Sequence, residues 1–344
     1  MSTKKILLNS KVIQVHKATV DPDFNKKSIL VDNPWEYVEL WIKRHSNNNA
    51  LFYWQQANGF YEATKQLPKT SSPLTAYYCF LNATKALLEI KGIVYNDRHG
   101  VTGGSINNVT SLANETIKFQ ANGVLSELSR LLGEPVNGEE FSFKNLIYNL
   151  VFIHRAYNLT YSSDPELFYP ICNPHFVKIN GQNDAFFKAE IKSEFYQNLN
   201  TINKLPNTLE RDLGYSDKWI IRKKNRFRWM TGTAHKSANL LRLKNYHKLV
   251  RKDIHFIYGS TDLWYFKRTG FGNSIDKDQL TITFALMHRL SELSRYDPIR
   301  LKKHFDCQHN WLISEFINLA PTQFIYAIAC EITGQEFKIP GIRK

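Results

Sequence analysis

The sequence predicts an α+β chain, mostly helical, in which N- and C-terminal helices build one bundle and a small antiparallel β-sheet is inserted between them. Two observations carry this reading. Apolar residues recur at helical spacing up to about residue 160 and again from about residue 276. Between those stretches the pattern alternates around bends such as Asn180-Gly181, Asn183-Asp184 and Lys224-Asn225. The predicted regions are therefore 1–160, helical; 161–275, antiparallel hairpins with a basic helix; and 276–344, helices that complete the bundle.

Each element has its own signal. "NPWEYVELWIKRH" opens with Asn33 as an N-cap and Pro34 at the first helical position, and Trp35, Val38, Trp41 and Ile42 follow helical spacing. "NNNALFYWQQANGFYEATKQL" continues as a second helix, with Leu51, Trp54, Phe60 and Tyr61 toward the core. Ser72-Pro73 starts "SPLTAYYCFLNATKALL", apolar almost all the way round yet carrying Asn82, Thr84 and Lys85, and Gly92 stops it. The glycine-rich loop "DRHGVTGG" follows, then helices in "GVLSELSRLLG" and "FKNLIYNLVFIHRAYNLTY". Hairpins are expected in "HFVKINGQNDAFFKAEI", "DKWIIRKKNRFRWM" and "DIHFIYGSTDLWYFKR", with a basic helix, "HKSANLLRLKNYHKLVRK", between the last two. A long helix in "DKDQLTITFALMHRLSELSRYDP" ends before Pro298, and "NWLISEFINLAPTQFIYAIACEITG" reads as two helices around Pro321.

The 344 residues are 43% hydrophobic and 22% charged, which excludes wholesale disorder. Lys and Arg number 45 against 31 Asp and Glu, a formal net charge of +14. That balance favours an anionic partner, and nucleic acid, RNA or DNA, is the expected one; a merely basic protein is the alternative. The four cysteines form no CxxC pair, so zinc-site spacing is absent, and no metal or organic cofactor is expected. No run approaches the roughly 18 apolar residues of a membrane span, and the basic N-terminus has too short an apolar run for a secretory signal. The expectation is a cytoplasmic protein without membrane contact.

"FYWQQANGFYEA", "SPLTAYYCFLNATKALL" and the His-Gly of "RHGVTGG" resemble the N-terminal half of the YaaC-like family. "LMHRLSELSRYDP" followed by "WLISEFINLAP" is similar to that family's C-terminal signature, in which an Arg-Tyr pair closes a long helix before an acidic-Pro turn. The helical part of the family looks like the HEPN superfamily, common in prokaryotic RNA-targeting toxins and antiviral defence. The resemblance therefore implies a HEPN-like bundle, a bacterial origin and a defence role. With the charge, the expected function is nucleic-acid binding within a defence or stress module beside other proteins of that module. The alternative is an interaction subunit whose bundle docks a partner protein of a larger defence complex.

Several residue groups could carry chemistry. HEPN ribonucleases use an Arg and a His four to six residues apart on one helix. The Arg neutralises developing charge, and the His moves the 2′-hydroxyl proton. Arg242 and His247 have that spacing and are the candidate pair for a metal-independent ribonuclease; a solvated basic helix face is the alternative. Arg98 and His99 could clamp a phosphate over the glycine loop, or the loop could simply cap a helix. Asn82 and Lys85 share a helix face and, if it looks toward His99, complete a polar pocket; otherwise Lys85 snorkels to water. His288, Arg295 and Tyr296 cluster near a helix C-terminus, where a cation suits the dipole. Arg222, Lys224, Arg226 and Arg228 occupy alternate positions of the second hairpin. They could track a phosphate backbone while neighbouring aromatics stack on bases, or they could form an ordinary solvated face.

Overall fold

The computed structural model describes residues 2–196, 203–261 and 263–340. The chain begins with short strands β1 (Thr3–Lys5), β2 (Leu7–Leu8), β3 (Lys11–Val12) and β4 (Ile29–Leu30). Helices α1 (Trp35–Arg44), α2 (Asn48–Gln66) and α3 (Ser72–Ile90) follow, then β5 (Val101–Ser105), β6 (Glu115–Phe119), α4 (Val124–Leu132), β7 (Glu140–Ser142), α5 (Phe143–Tyr148) and α6 (His154–Thr160). Next come β8 (Phe168–Ile179), β9 (Asp184–Ile191), α7 (Ser193–Tyr196), β10 (Leu209–Arg211), β11 (Ile220–Lys223), β12 (Phe227–Arg228), α8 (Lys236–Arg251), β13 (Ile254–Ile257) and β14 (Leu263–Lys267). The last elements are α9 (Gln279–Tyr296), α10 (Pro298–Phe305), α11 (Asn310–Thr333) and β15 (Phe337–Lys338).

These elements fall into two units: residues 1–30, 166–272 and 334–344 form one, and 31–165 with 273–333 the other. The first is built on an eight-stranded antiparallel sheet in the order β10-β11-β9-β8-β14-β13, with β1 paired to β8 and β12 to β9. Its inner face carries Phe176, Phe187, Ala189, Ile221 and Phe227, all buried. Helix α8 covers that face: the Tyr246 hydroxyl accepts from the Phe187 N–H (3.1 Å) and donates to the Asn225 carbonyl (2.8 Å).

In the second unit α3 is the central helix. Its apolar girth is explained by neighbours on several sides, since α2, α9, α11 and α4 all pack against it. Phe80 stacks on Phe324 with ring centroids 4.1 Å apart, and Trp54 donates from Nε1 to the Trp35 carbonyl (3.0 Å) in the adjacent corner. A three-stranded sheet, β5-β6-β7, lies in this unit as well. Helix α11 is long and apolar enough to cross a membrane by length and composition, and 61% of that stretch is buried within the fold.

The architecture corrects the expected one. The structure is 44% helix and 19% strand, and its largest feature is the curled eight-stranded sheet, not a HEPN-like bundle with a small inserted sheet. The sheet recruits β1 and the unforeseen β10, whose short and mostly polar sequences carry little alternating signal. The second expected hairpin is no hairpin at all. β11 and β12 both run antiparallel to β9, pairing Arg222 with Lys188 and Phe227 with Ala185. The Lys224-Asn225 bend is therefore an irregularity within one strand path: five residues advance along β11–β12 while β9 advances three. Pro321 likewise sits inside a continuous α11 instead of dividing two helices.

Candidate functional site

In the helical unit, α3 and α9 supply one set of polar side chains at helical spacing: Tyr77, Tyr78, Asn82 and Lys85 from the first, His288, Glu292 and Arg295 from the second. The loop after α3 brings His99 to them. It is held by its own backbone, because the Val124 and Leu125 N–H groups at the start of α4 donate to the carbonyls of Arg98 (2.9 Å) and His99 (3.1 Å). The glycines make this approach feasible. Gly123 has φ 134° and ψ 179°, a conformation essentially confined to glycine, and a Cβ there would lie 2.5 Å from Gly100 Cα and 2.7 Å from the Arg98 carbonyl oxygen. Gly123→Ala is therefore expected to cost about 3 kcal/mol or more, combining backbone strain with overpacking against backbone that has nowhere to go. Gly92→Ala, at φ 65° in open space, is expected to cost only about 1–2 kcal/mol; thermal melts of the two variants check the difference.

His99 is hydrogen-bonded through Nδ1 to the Tyr77 hydroxyl. Burial pushes the Tyr77 phenol far up, so it keeps its proton; where it donates that proton to Nδ1, the neutral imidazole carries its own hydrogen on Nε2. Burial, and then the charges of Arg295 and Lys85, lower His99 below the ordinary histidine value, while Glu292 opposes them. The His288 ring lies 5.4 Å from that of His99 and 4.9 Å from that of Tyr77. Burial, with His99, Arg289 and Arg295, takes His288 down to about 3, and its Nδ1 is buried without a hydrogen-bond partner, 3.8 Å from Glu292 Oε1.

A charged network stands behind these groups. Glu292 accepts from the Gly103 N–H (3.1 Å) and from Arg289 Nη1 (3.1 Å), and a Cβ on Gly103 would collide with both side chains. Arg289 continues to Glu115, which is 1% exposed and also takes Arg300 Nε (2.6 Å) and His304 Nε2 (3.1 Å). Burial alone would raise Glu115; the hydrogen bonds from His304, Arg289 and Arg300 overcome it and hold the carboxyl at about 2. Among the described residues no group of His, Cys, Asp and Glu has metal-holding geometry.

The other expected sites are distributed differently. Lys85 pairs with Asp97 (2.7 Å) and has the Tyr53 ring 5.2 Å away, whereas Asn82 spends its amide on the Tyr78 carbonyl one turn back, and Arg98 is exposed. Two amides of this stretch are committed, Gly103 N–H to Glu292 and Arg98 N–H to Asn96, and the Arg98 and His99 carbonyls cap the start of α4. Arg242 and His247 do not form a pair. His247 is fully buried, its Nε2 accepts from the His16 N–H (3.1 Å), and burial pushes its pKa well down; Arg242 turns to Asn239 (3.3 Å). A histidine sealed from solvent cannot take a proton from a substrate hydroxyl, so this helix offers no ribonuclease dyad. On the basic strand Arg222 is tied to Glu210 (2.8 Å) and Arg226 to Asp184 (3.2 Å), while Lys224 and Arg228 are exposed.

The model of the family described as YaaC-like Protein matches residues 15–332. The chain belongs to the YaaC-like family. No curated protein and no solved structure matches it. The match encloses both the His99 cluster and the basic strand of this YaaC-like chain. Tyr77, Tyr78 and Glu292, with Arg289, Glu115, Arg300 and His304 behind them, were not singled out from sequence. Tyr77 is hidden in an apolar run; Glu292 stands four residues after His288 and could have been found by helical spacing; Glu115, in "LANETIKF", has no local pattern that marks it.

Proposed function

We propose that this chain binds nucleic acid, RNA or DNA, through its sheet-bearing unit. The observation that carries the proposal is the segregation of charge. The sheet-bearing unit holds 28 Lys and Arg against 12 Asp and Glu, a net of +16, and the helical unit 17 against 19, a net of −2. A merely basic proteome would spread the excess over both units. Concentration in one unit is what a polyanion partner selects, because each neutralised phosphate releases counterions. Within that unit Lys224 and Arg228 are exposed, and Trp229, next to Arg228 in sequence, is half-buried, residue types suited to a backbone with an adjacent base. A bacterial defence or stress module is the setting we propose for such binding, in line with the family resemblance.

Anisotropy of labelled single- and double-stranded RNA and DNA, measured from about 50 to 200 mM salt, tests the proposal. The double variant Lys224→Glu/Arg228→Glu is expected to weaken binding to all sequences. It should also flatten the plot of log K against log salt by about 0.7–0.9 per lost phosphate contact. Arg222→Gln breaks an internal pair and should leave the slope unchanged. No binding at the low-salt end rejects the proposal, and binding indifferent to the double variant removes this strand from it.

A further inference from the structure

We infer that Arg295, His99, Lys85 and Tyr78 form a binding site for a phosphate group, carried by a free nucleotide or by the end of a nucleic-acid strand. The donors of the patch stand beside two carboxylates that are already paired, Asp97 with Lys85 and Glu292 with Arg289. The Tyr78 hydroxyl accepts from Arg295 Nη1 (3.0 Å), so its own proton is left to donate outward, and Tyr296 accepts from Nη2 (2.6 Å) in the same way. Two phenols therefore hold the guanidinium, and among the described residues no carboxylate forms an ion pair with it. In the tautomer in which Tyr77 donates to Nδ1, His99 offers Nε2–H. Lys85 gives one proton to Asp97, whose side chain is 82% exposed, and keeps two more. Behind them His288, 4% exposed, holds a nitrogen with no partner.

A set of donors of this kind is satisfied by an anion with several acceptor oxygens. A phosphate group offers three or more at tetrahedral angles, and a planar guanidinium can engage two of them at once. A carboxylate has two and would leave part of the set unmet. The unit that carries the site has a net charge of −2, so the attraction is local and is not a share of the general basic field. The inference does not rest on nucleic-acid binding by the sheet-bearing unit, and it stands if that unit binds nothing.

The test is an NMR pH titration of His99, assigned by the loss of its signal in His99→Gln, with exposed His45 as an internal reference. A bound anion offsets the charges of Arg295 and Lys85, so the His99 pKa is expected to rise on adding about 10 mM inorganic phosphate. Sulfate, whose charge is fixed, should act likewise. Arg295→Gln is expected to weaken phosphate about tenfold or more, and Tyr78→Phe about threefold, with both proteins remaining folded because the residues lie at or near the surface. A nucleoside 5′-monophosphate compared with its nucleoside, and a 5′-phosphorylated short strand compared with its dephosphorylated twin, identify the source of the group. His99 unmoved by any of these probes, or moved equally in Arg295→Gln, overturns the inference. Lys224→Glu/Arg228→Glu should leave the His99 response intact, which separates this result from the fate of the nucleic-acid proposal.

Discussion

Lowering the pH from 7 to 5 is expected to cost the helical unit about 3–4 kcal/mol and to depress its melting temperature by about 10 °C. Burial holds His154 and His309 at about 4 and His288 at about 3, so all three remain neutral in the folded protein throughout that range. In the unfolded chain a histidine takes up its proton near pH 6.5. The unfolded state therefore binds more protons as the pH falls, and stability drops; each histidine accounts for about 2 kcal/mol between pH 7 and 5. Glu134 works in the opposite sense. Burial and the charge of Asp278 raise it to about 7, so on acidification the folded state gains a proton there, returning about 2 kcal/mol. Three contributions against one give the net figure. In the sheet-bearing unit His247 and His255, fully buried and pushed well below the ordinary value, have the same sign as the three. Melts followed by circular dichroism at pH 7, 6 and 5 measure the effect. His154→Gln should reduce the slope by one proton and Glu134→Gln should steepen it. A melting temperature flat across this range would falsify the protonation states argued here.

The sequence made legible what depends on local period. α1, α2 and α3 and the long α9 lie where their apolar spacing and their Pro and Gly boundaries place them, and His99, Arg295 and Tyr296 were marked by a rare glycine loop and a helix end. What it did not disclose is pairing at a distance. β10, three residues long, pairs with β11, and nothing in "LER" announces a partner. The run at 220–228 has the alternation of a hairpin, yet its residues find β9 before they find one another, because a sheet already present offers more hydrogen bonds than a two-stranded ribbon. The misreading of Arg242 and His247 has a related origin. Spacing along a helix says which face a residue occupies, and burial of that face under the sheet is decided by strands far away in sequence.

Glu115→Gln is the second large effect, expected to destabilise the helical unit by about 3–5 kcal/mol although it changes one oxygen to an amide. Two guanidiniums and an imidazole converge on this carboxylate from α9 and α10, at 2.7 Å from Arg289 Nη2, 2.6 Å from Arg300 Nε and 3.1 Å from His304 Nε2, and Ser105 Oγ donates to it at 3.0 Å. His304 in turn meets His309 at 2.9 Å. Removing the negative charge leaves Arg300 without its carboxylate and Arg289 with Glu292 alone, across an amide whose N–H₂ can only point at one of them. The penalty is that of uncompensated charge, not of one lost hydrogen bond. The sign is confirmed by a cycle with Arg300→Met: once one cation is gone, Glu115→Gln should cost markedly less, giving a coupling of about 1–3 kcal/mol. The consequences should also reach the His99 cluster. Arg289 is the link from Glu115 to Glu292, and Glu292 fixes the Gly103 N–H beside it. In Glu115→Gln protein that still folds at low temperature, the His99 titration should therefore shift. An unchanged titration together with a loss below about 1 kcal/mol would mean that Glu115 is solvated and carries neither the fold nor the site.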